Sequence, residues 1–266
     1  NNRDIFKKPV IVTSEEYLSS VEDSLSKTGL QVERVFLEPE SKNTFTASVL
    51  PVLAALRRNE EERYMVMPSD HYIPFNKSFY ETCTTIKNQF RKKALILLGV
   101  SPDNPSTEYG YISVDTSNEE LKYVKSFIEK PGIEKAKLLM KQPDTLWNSG
   151  IFCFEGKWLS EVIRIKEPNM YSLMQDLLLN SELNQIYFYP DKDKFSKLTN
   201  ISFDKAFVES NEQNFVATLE AGWTDLGSWH TLSNLQKEPE HGLTLYSDGD
   251  YSRTEKPWGY FEVLFE

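Results

Sequence analysis

Glycine is scarce in this chain, at 11 of 266 residues, about 4% against a usual ~7%. A nucleotide-binding protein ordinarily needs glycines for a phosphate-cradling loop, so the shortage calls for an explanation. Cysteine is scarcer still. Cys83 and Cys153 stand far apart with no CxxC partner, which excludes a disulfide framework or a cysteine zinc site and fits a reducing cytoplasm. No apolar run approaches the ~18–20 residues of a membrane span, and no signal peptide opens the sequence. Neither a membrane nor export is therefore expected. Positive charge is also short: 30 Lys+Arg against 40 Asp+Glu leave a net charge of −10. That argues against a broad nucleic-acid footprint, while leaving room for a local basic pocket.

What is present is ordinary for a globular protein, with 39% hydrophobic and 26% charged residues, and the length suits one large or two small domains. PVIVT (Pro9–Thr13) reads as a buried strand. Thr13 and Glu16 have capping-box spacing ahead of a helix that runs to Gly29. Gln31–Leu37 predicts a strand, Thr44–Arg58 a helix and YMVM (Tyr64–Met67) a third strand. Helix Ser78–Arg91 and strand Ala94–Val100 follow. Strands separated by such helices imply βαβ units and a mostly parallel sheet. Beyond Pro102 the pattern changes. Tyr109–Val114 and Leu121–Glu129 read as strands joined by a turn with Asp115, Ser117 and Asn118. Helix Ile133–Lys141, strand Gly150–Phe154, helices near Trp158–Ile165 and Met170–Leu179, and strand Asn214–Leu219 complete the pattern. His241–Thr254 reads as a linker, and KPWGYFEVLFE (Lys256–Glu266) as the start of another strand.

Several segments could carry chemistry. Pro68-Ser69-Asp70-His71 directly follows YMVM, and ligands of open α/β sheets bind beyond the carboxyl ends of strands. A carboxylate there can hold Mg²⁺, or it can simply cap a turn. Asp225, in Trp223-Thr224-Asp225-Leu226-Gly227-Ser228-Trp229, is a second metal carboxylate or the cap of a helix starting near Ser228. Gly110, between Tyr109 and Tyr111, suits a backbone contact with a flat or hydroxylated ligand. Glu129 and Lys130 end a strand, and a glutamate accepts sugar hydroxyls where a lysine meets phosphate. Asn148 and Gly150 precede an apolar strand. Each of these segments, taken singly, is also compatible with an ordinary turn; the order in which they occur is the signal.

That order resembles the sugar-1-phosphate nucleotidyltransferases, and within them the mannose-1-phosphate guanylyltransferases of the long bacterial bifunctional type. The matching segments are LEPESKNT (Leu37–Thr44), PSDH (Pro68–His71), YGYI (Tyr109–Ile112), FIEKP (Phe127–Pro131), WNSGIF (Trp147–Phe152), FDKAFVE (Phe203–Glu209) and AGWTDLGSW (Ala221–Trp229). The resemblance implies a Rossmann-like, GT-A-like α/β fold with a mixed, mostly parallel sheet flanked by helices. It implies nucleotidyl transfer from GTP to mannose 1-phosphate, giving GDP-mannose and pyrophosphate, in a cytoplasmic enzyme. It further implies Asp70 and Asp225 as Mg²⁺ ligands, Lys130 on phosphate, and Tyr109, Gly110, Glu129, Asn148, Gly150 and Glu209 around the substrate. Guanine and adenine both remain open as the base, and so does a homo-oligomer.

The resemblance also has departures. The family's glycine-rich loop (GxGxRLWP-like) belongs ahead of PVIVT and is not in the sequence, which opens on Asn1. On this reading residues 1–240 form an N-terminally incomplete nucleotidyltransferase domain. Residues 241–266 form a linker and the start of a cupin-like domain, and the low glycine count reflects the missing loop. The chain as written is then a candidate for an inactive fragment of an active parent. Phe45-Thr46-Ala47-Ser48 replaces the family's small apolar stretch, and Ser210 stands where a lysine is expected. A non-catalytic sugar-nucleotide-binding homologue and a metal-dependent glycosyltransferase are the alternatives.

Overall fold

The computed structural model describes residues 5–73, 77–116 and 119–226, and the backbone of 260–265. The first half alternates strands and helices: β1 (Val10–Ser14), α1 (Leu18–Thr28), β2 (Arg34–Glu38), α2 (Asn43–Leu56), β3 (Arg63–Pro68), a two-residue β4 (His71–Tyr72), α3 (Lys77–Asn88) and β5 (Leu95–Val100). Then come β6 (Tyr111–Val114), β7 (Leu121–Ile128), α4 (Ile133–Met140), β8 (Thr145–Glu155), α5 (Gly156–Lys166) and α6 (Pro168–Asn180). A small hairpin, β9 (Glu182–Asn184) and β10 (Tyr187–Tyr189), leads to α7 (Lys192–Phe195), a π-turn at Asp204–Val208, β11 (Asn214–Thr218) and β12 (Thr224–Asp225). The last described strand is β13 (Tyr260–Phe265).

The large sheet has the order β5-β11-β7-β6-β8-β3-β13-β1-β2-β10-β9, with β5 also pairing with β8. Strands β1, β2, β3, β5, β6, β10 and β11 run one way, and β7, β8, β9 and β13 the other. A majority direction therefore exists, as the βαβ pattern predicts. The opposed strands are interleaved, however, so most neighbouring pairs are antiparallel. β7 returns from β6 in a hairpin, a connection open only to antiparallel partners, and β8 runs antiparallel to β3, β5 and β6. The strand expected at the chain's end exists, and it lies within this sheet between β1 and β3. The expected linker His241–Thr254 lies outside the described residues, as do Ser117, Asn118 and the helix expected from Ser228.

Side chains alternate across the strands, and both faces are covered. Val10 and Val12 join the cluster beneath α2, α5 and α6, while Ile11 packs with Val35 and Leu37 under Leu18, Val21 and Leu25 of α1. Helices α3 and α4 cover a third cluster through Cys83, Ile86, Ala136 and Leu139. One local expectation is corrected. Thr13 caps no helix: it lies inside β1, 2% exposed, with its hydroxyl unpartnered. A short 3₁₀ turn, Glu15–Tyr17, intervenes before α1. Thr13 pairs with Leu37 of β2 and Ser14 is the residue that precedes the 3₁₀ turn, so Thr13 lies one residue short of any capping position.

Candidate active site

A cavity of about 170 Å³ opens along the middle of β8, where β3 ends, β6 begins and β7 ends. Its lining includes Asp70, Tyr109, Gly110, Glu129, Lys130, Asn148, Gly150 and Asp225, drawn from segments up to 155 residues apart (225 − 70 = 155). Of the substrate and metal residues expected from the sequence, Glu209 alone is not in the lining. It is exposed at the end of the π-turn, where its N–H donates to the Asp204 carbonyl at 3.1 Å and its charge adds to the upward shifts of Glu129 and Asp204.

At one end of the cavity, β3 stops at Pro68 and the chain turns through Ser69 and Asp70 into β4. β4 pairs antiparallel with β12, setting His71 opposite Asp225 and Tyr72 opposite Thr224. The Leu226 N–H donates to the Asp70 carbonyl at 2.8 Å. Backbone pairing thereby joins two segments remote in sequence, and one ligand atom each from Asp70, His71 and Asp225 lies within 4.8 Å of the others. Asp225 sits in a bridge strand; the helix expected to start near Ser228 lies outside the described residues. An aromatic wall runs from this end: His71 meets Trp223 at 5.1 Å, Trp223 meets Tyr109 at 5.3 Å, and Tyr109 meets Trp147 at 5.0 Å. Burial pushes the Tyr109 hydroxyl up to about 12, with Asp225, Asp103 and Glu108 adding to the shift.

At the other end, β7 gives way to Glu129 and Lys130, with Lys130 in left-handed backbone at φ 43. A non-glycine residue there is uncommon, and the turn leaves Lys130 Nζ exposed, 3.9 Å from Glu129 Oε1. Gly110 is required by close approach: a Cβ there would lie 2.8 Å from both Glu129 Oε2 and the Phe127 ring. Its carbonyl accepts from the Asn148 N–H at 2.8 Å. Asn148 is 8% exposed; its Nδ2 donates to Asp204 Oδ1 at 2.6 Å, and its Oδ1 accepts from the Gly150 N–H at 3.1 Å. Gly150, at φ 72 inside β8, lies between Asn148 and Phe152 where the register with β5 shifts.

Asp204, Thr44 and Trp223 also line the cavity, and sequence reasoning does not single them out although each lies in a matching segment. The signal for Asp204 is an acidic residue following a phenylalanine that packs at 4.9 Å on Phe152 of β8. Loss of solvent raises the Asp204 carboxyl, against the Asn148 hydrogen bond that lowers it. Glu129 is pushed up to about 7, chiefly by burial and then by Asp204, with Lys130 opposing. Thr44 accepts the Phe203 N–H at 2.7 Å, tying α2 to the π-turn. Phe45, in the altered stretch, is a core residue 6.4 Å from Phe203. At Ser210, the expected lysine position, Lys166 Nζ donates to the backbone carbonyl at 2.7 Å.

The lining thus carries Asp70, Glu108, Glu129, Asp204 and Asp225 against Lys130. Such a surface repels phosphate unless cations are added. The oxygen donors of Asp70 and Asp225 suit a hard divalent cation such as Mg²⁺.

Residues 2–241 match the nucleotidyl transferase family. Among curated proteins, xanthan biosynthesis protein XanB of Xanthomonas campestris pv. campestris (strain B100) is 28% identical over 240 residues, covering 90% of this chain and 51% of that protein. Mannose-1-phosphate guanylyltransferase 2 of Escherichia coli O157:H7 is 30% identical over 255 residues, covering 91% and 52%. The chain thus spans about half the length of the curated relatives it matches. Among solved structures, mannose-1-phosphate geranyltransferase from Thermus thermophilus aligns with a TM-score of 0.72 at 25% identity, covering 87% of this chain and 65% of that one. Mannose-6-phosphate isomerase from Helicobacter pylori aligns with a TM-score of 0.72 at 26% identity, covering 81% and 84%. No helix among the described residues is long and apolar enough to cross a membrane.

Proposed function

The chain belongs to the nucleotidyl transferase family, and from that premise we propose that it provides the transferase site of a protein that joins GTP and mannose 1-phosphate into GDP-mannose and pyrophosphate. The observation that carries this reading is convergence. Asp70, Gly110, Glu129, Asn148 and Asp225, scattered along the chain, line one cavity.

An oxygen of the sugar phosphate attacks the α-phosphorus in line. The new O–P bond forms as the bond to the pyrophosphate oxygen breaks, and the electron pair leaves with pyrophosphate. The nucleophile is already an anion, so no side chain has to remove a proton. The protein's work is to position two anions and offset their charge. Asp70 and Asp225 would hold Mg²⁺, which would neutralise the triphosphate. Glu129 accepts sugar hydroxyls, and Asn148, held by Asp204 and Gly150, presents its remaining N–H and lone pair beside them. Lys130, exposed at the rim, meets the sugar phosphate as a point charge. Gly110 lets Glu129 and Phe127 pack against its backbone, and Gly150 supplies the left-handed backbone beside Asn148.

A second reading, a binder of sugar nucleotides without turnover, is favoured by the single lysine among so many carboxylates in the lining. One assay separates the two. With Mg²⁺, GTP and mannose 1-phosphate, the full-length gene product should release pyrophosphate and accumulate GDP-mannose. Binding of GDP-mannose with no pyrophosphate from any nucleotide and sugar 1-phosphate pair would select the second reading. Neither binding nor turnover would reject both.

A further inference from the structure

Three residues at one end of the cavity, Asp70, His71 and Asp225, could together hold a metal, and an imidazole in that set would favour zinc or nickel as much as magnesium. The ring's own hydrogen bonding argues otherwise. The Trp223 indole Nε1–H donates to His71 Nδ1 at 3.1 Å. A nitrogen that accepts this bond carries no proton, so the single proton of the neutral ring lies on Nε2. Nδ1 is occupied by the indole and Nε2 by its proton, and neither offers a lone pair to a cation. Nε2 instead faces Asp70 Oδ1 at 3.9 Å.

The ring has little freedom to adopt the other tautomer. Trp223 is 8% exposed, so its N–H would lose its partner with little water to replace it. The indole is fixed edge-on to the imidazole at 88° and packed against Tyr109. β4–β12 pairing sets the backbone of His71.

We propose that His71 is a positioning residue and not a metal ligand: Trp223 locks it with the proton on Nε2, directed at the Asp70 carboxylate, and so keeps the site for oxygen-seeking cations. The metal-selectivity half of this inference rests on the proposed Mg²⁺ reading; the tautomer half does not. The test uses the full-length protein with ¹⁵N-labelled histidine. Without metal, His71 Nδ1 should resonate as the bare nitrogen and Nε2 as the protonated one, and Trp223→Phe should abolish that preference. Nδ1 protonated in the parent, or a tautomer unchanged in Trp223→Phe, overturns the lock. With Mn²⁺ bound, pulsed EPR should detect no directly ligated imidazole nitrogen; such a nitrogen overturns the positioning role. Zn²⁺ should compete with Mn²⁺ at least tenfold better in Trp223→Phe than in the parent, and equal competition overturns the selectivity claim. His71→Gln, which can still donate from near the Nε2 position, should keep Mn²⁺ affinity within about threefold, whereas a loss comparable to that of Asp225→Ala identifies a ligand. A protein that binds no Mn²⁺ but shows the bare Nδ1 rejects the metal reading while upholding the lock.

Discussion

The two ends of the cavity are built by different means. At the Asp70–Asp225 end, backbone does the holding: a two-residue bridge and one N–H to carbonyl bond fasten remote segments, and the carboxylates project from that frame. At the Glu129–Asn148 end, side chains do the holding, through the Asn148–Asp204 bond and through burial that raises both acids. The difference teaches where each end is vulnerable. The first tolerates loss of a side chain without loss of shape, but loses its charge chemistry. The second loses shape when one partner is removed.

The largest effect is therefore expected at the first end. Asp225→Ala should leave the circular dichroism and melting temperature nearly unchanged, because the β4–β12 pairing is backbone. Mg²⁺-dependent turnover of the full-length protein should fall by about 10³-fold or more, the order that a missing charge stabiliser costs in phosphoryl transfer. Undiminished turnover would remove Asp225 from the metal site and leave the two ends functionally alike.

At the second end, Asp204→Ala should cost about 10–100-fold in kcat/KM, since it frees the Asn148 amide and strands a buried donor. The loss should lie in KM for the sugar phosphate, with KM for the nucleotide unchanged. Asp204→Asn keeps an acceptor for the Asn148 N–H and should recover most of the loss. A uniform fall in kcat for both variants would mean that Asp204 serves the fold and not the sugar end.

How much of this can be read from the sequence divides along the same line. The strands and helices of the first half are legible because buried runs such as PVIVT and YMVM stand between amphipathic helices, a local pattern. The residues at both ends are legible as motifs, and Asp70 follows the carboxyl end of β3 as strand-end logic expects; Gly110 instead precedes β6, and Asn148 and Gly150, expected ahead of a strand, lie inside β8 because that strand begins at Thr145. What is not legible is pairing. Nothing local in His71-Tyr72 announces that it will bridge to Thr224-Asp225, and the interleaving of β7 and β8 among the other strands depends on contacts between distant segments. Thr13 defeats a local reading because a helix-capping pattern is local, while its place in β1 is decided by the neighbouring strand. Asp204 escapes notice because its burial depends on Phe203 reaching Phe152 across the sheet.

The smallest expected effect concerns protons at the second end. In the unfolded chain Glu129 titrates near 4.5, and in the folded protein near 7. Between those values the folded state retains a proton that the unfolded state has released, so stability declines as pH rises through this window, and the full cost is present above pH 7. The carboxyl is only partly buried and solvent screens it, so the effect on the melting temperature should be a few degrees. Glu129→Gln should flatten the decline between pH 5 and 7. Glu38, 8% exposed at the end of β2 and pushed up to about 8 by burial, should still carry a slope toward pH 8, which Glu38→Gln removes. If Glu129→Gln leaves the slope between pH 5 and 7 intact, the carboxylates of the sugar end are not held by burial, and the contrast between the two ends reduces to one of backbone geometry.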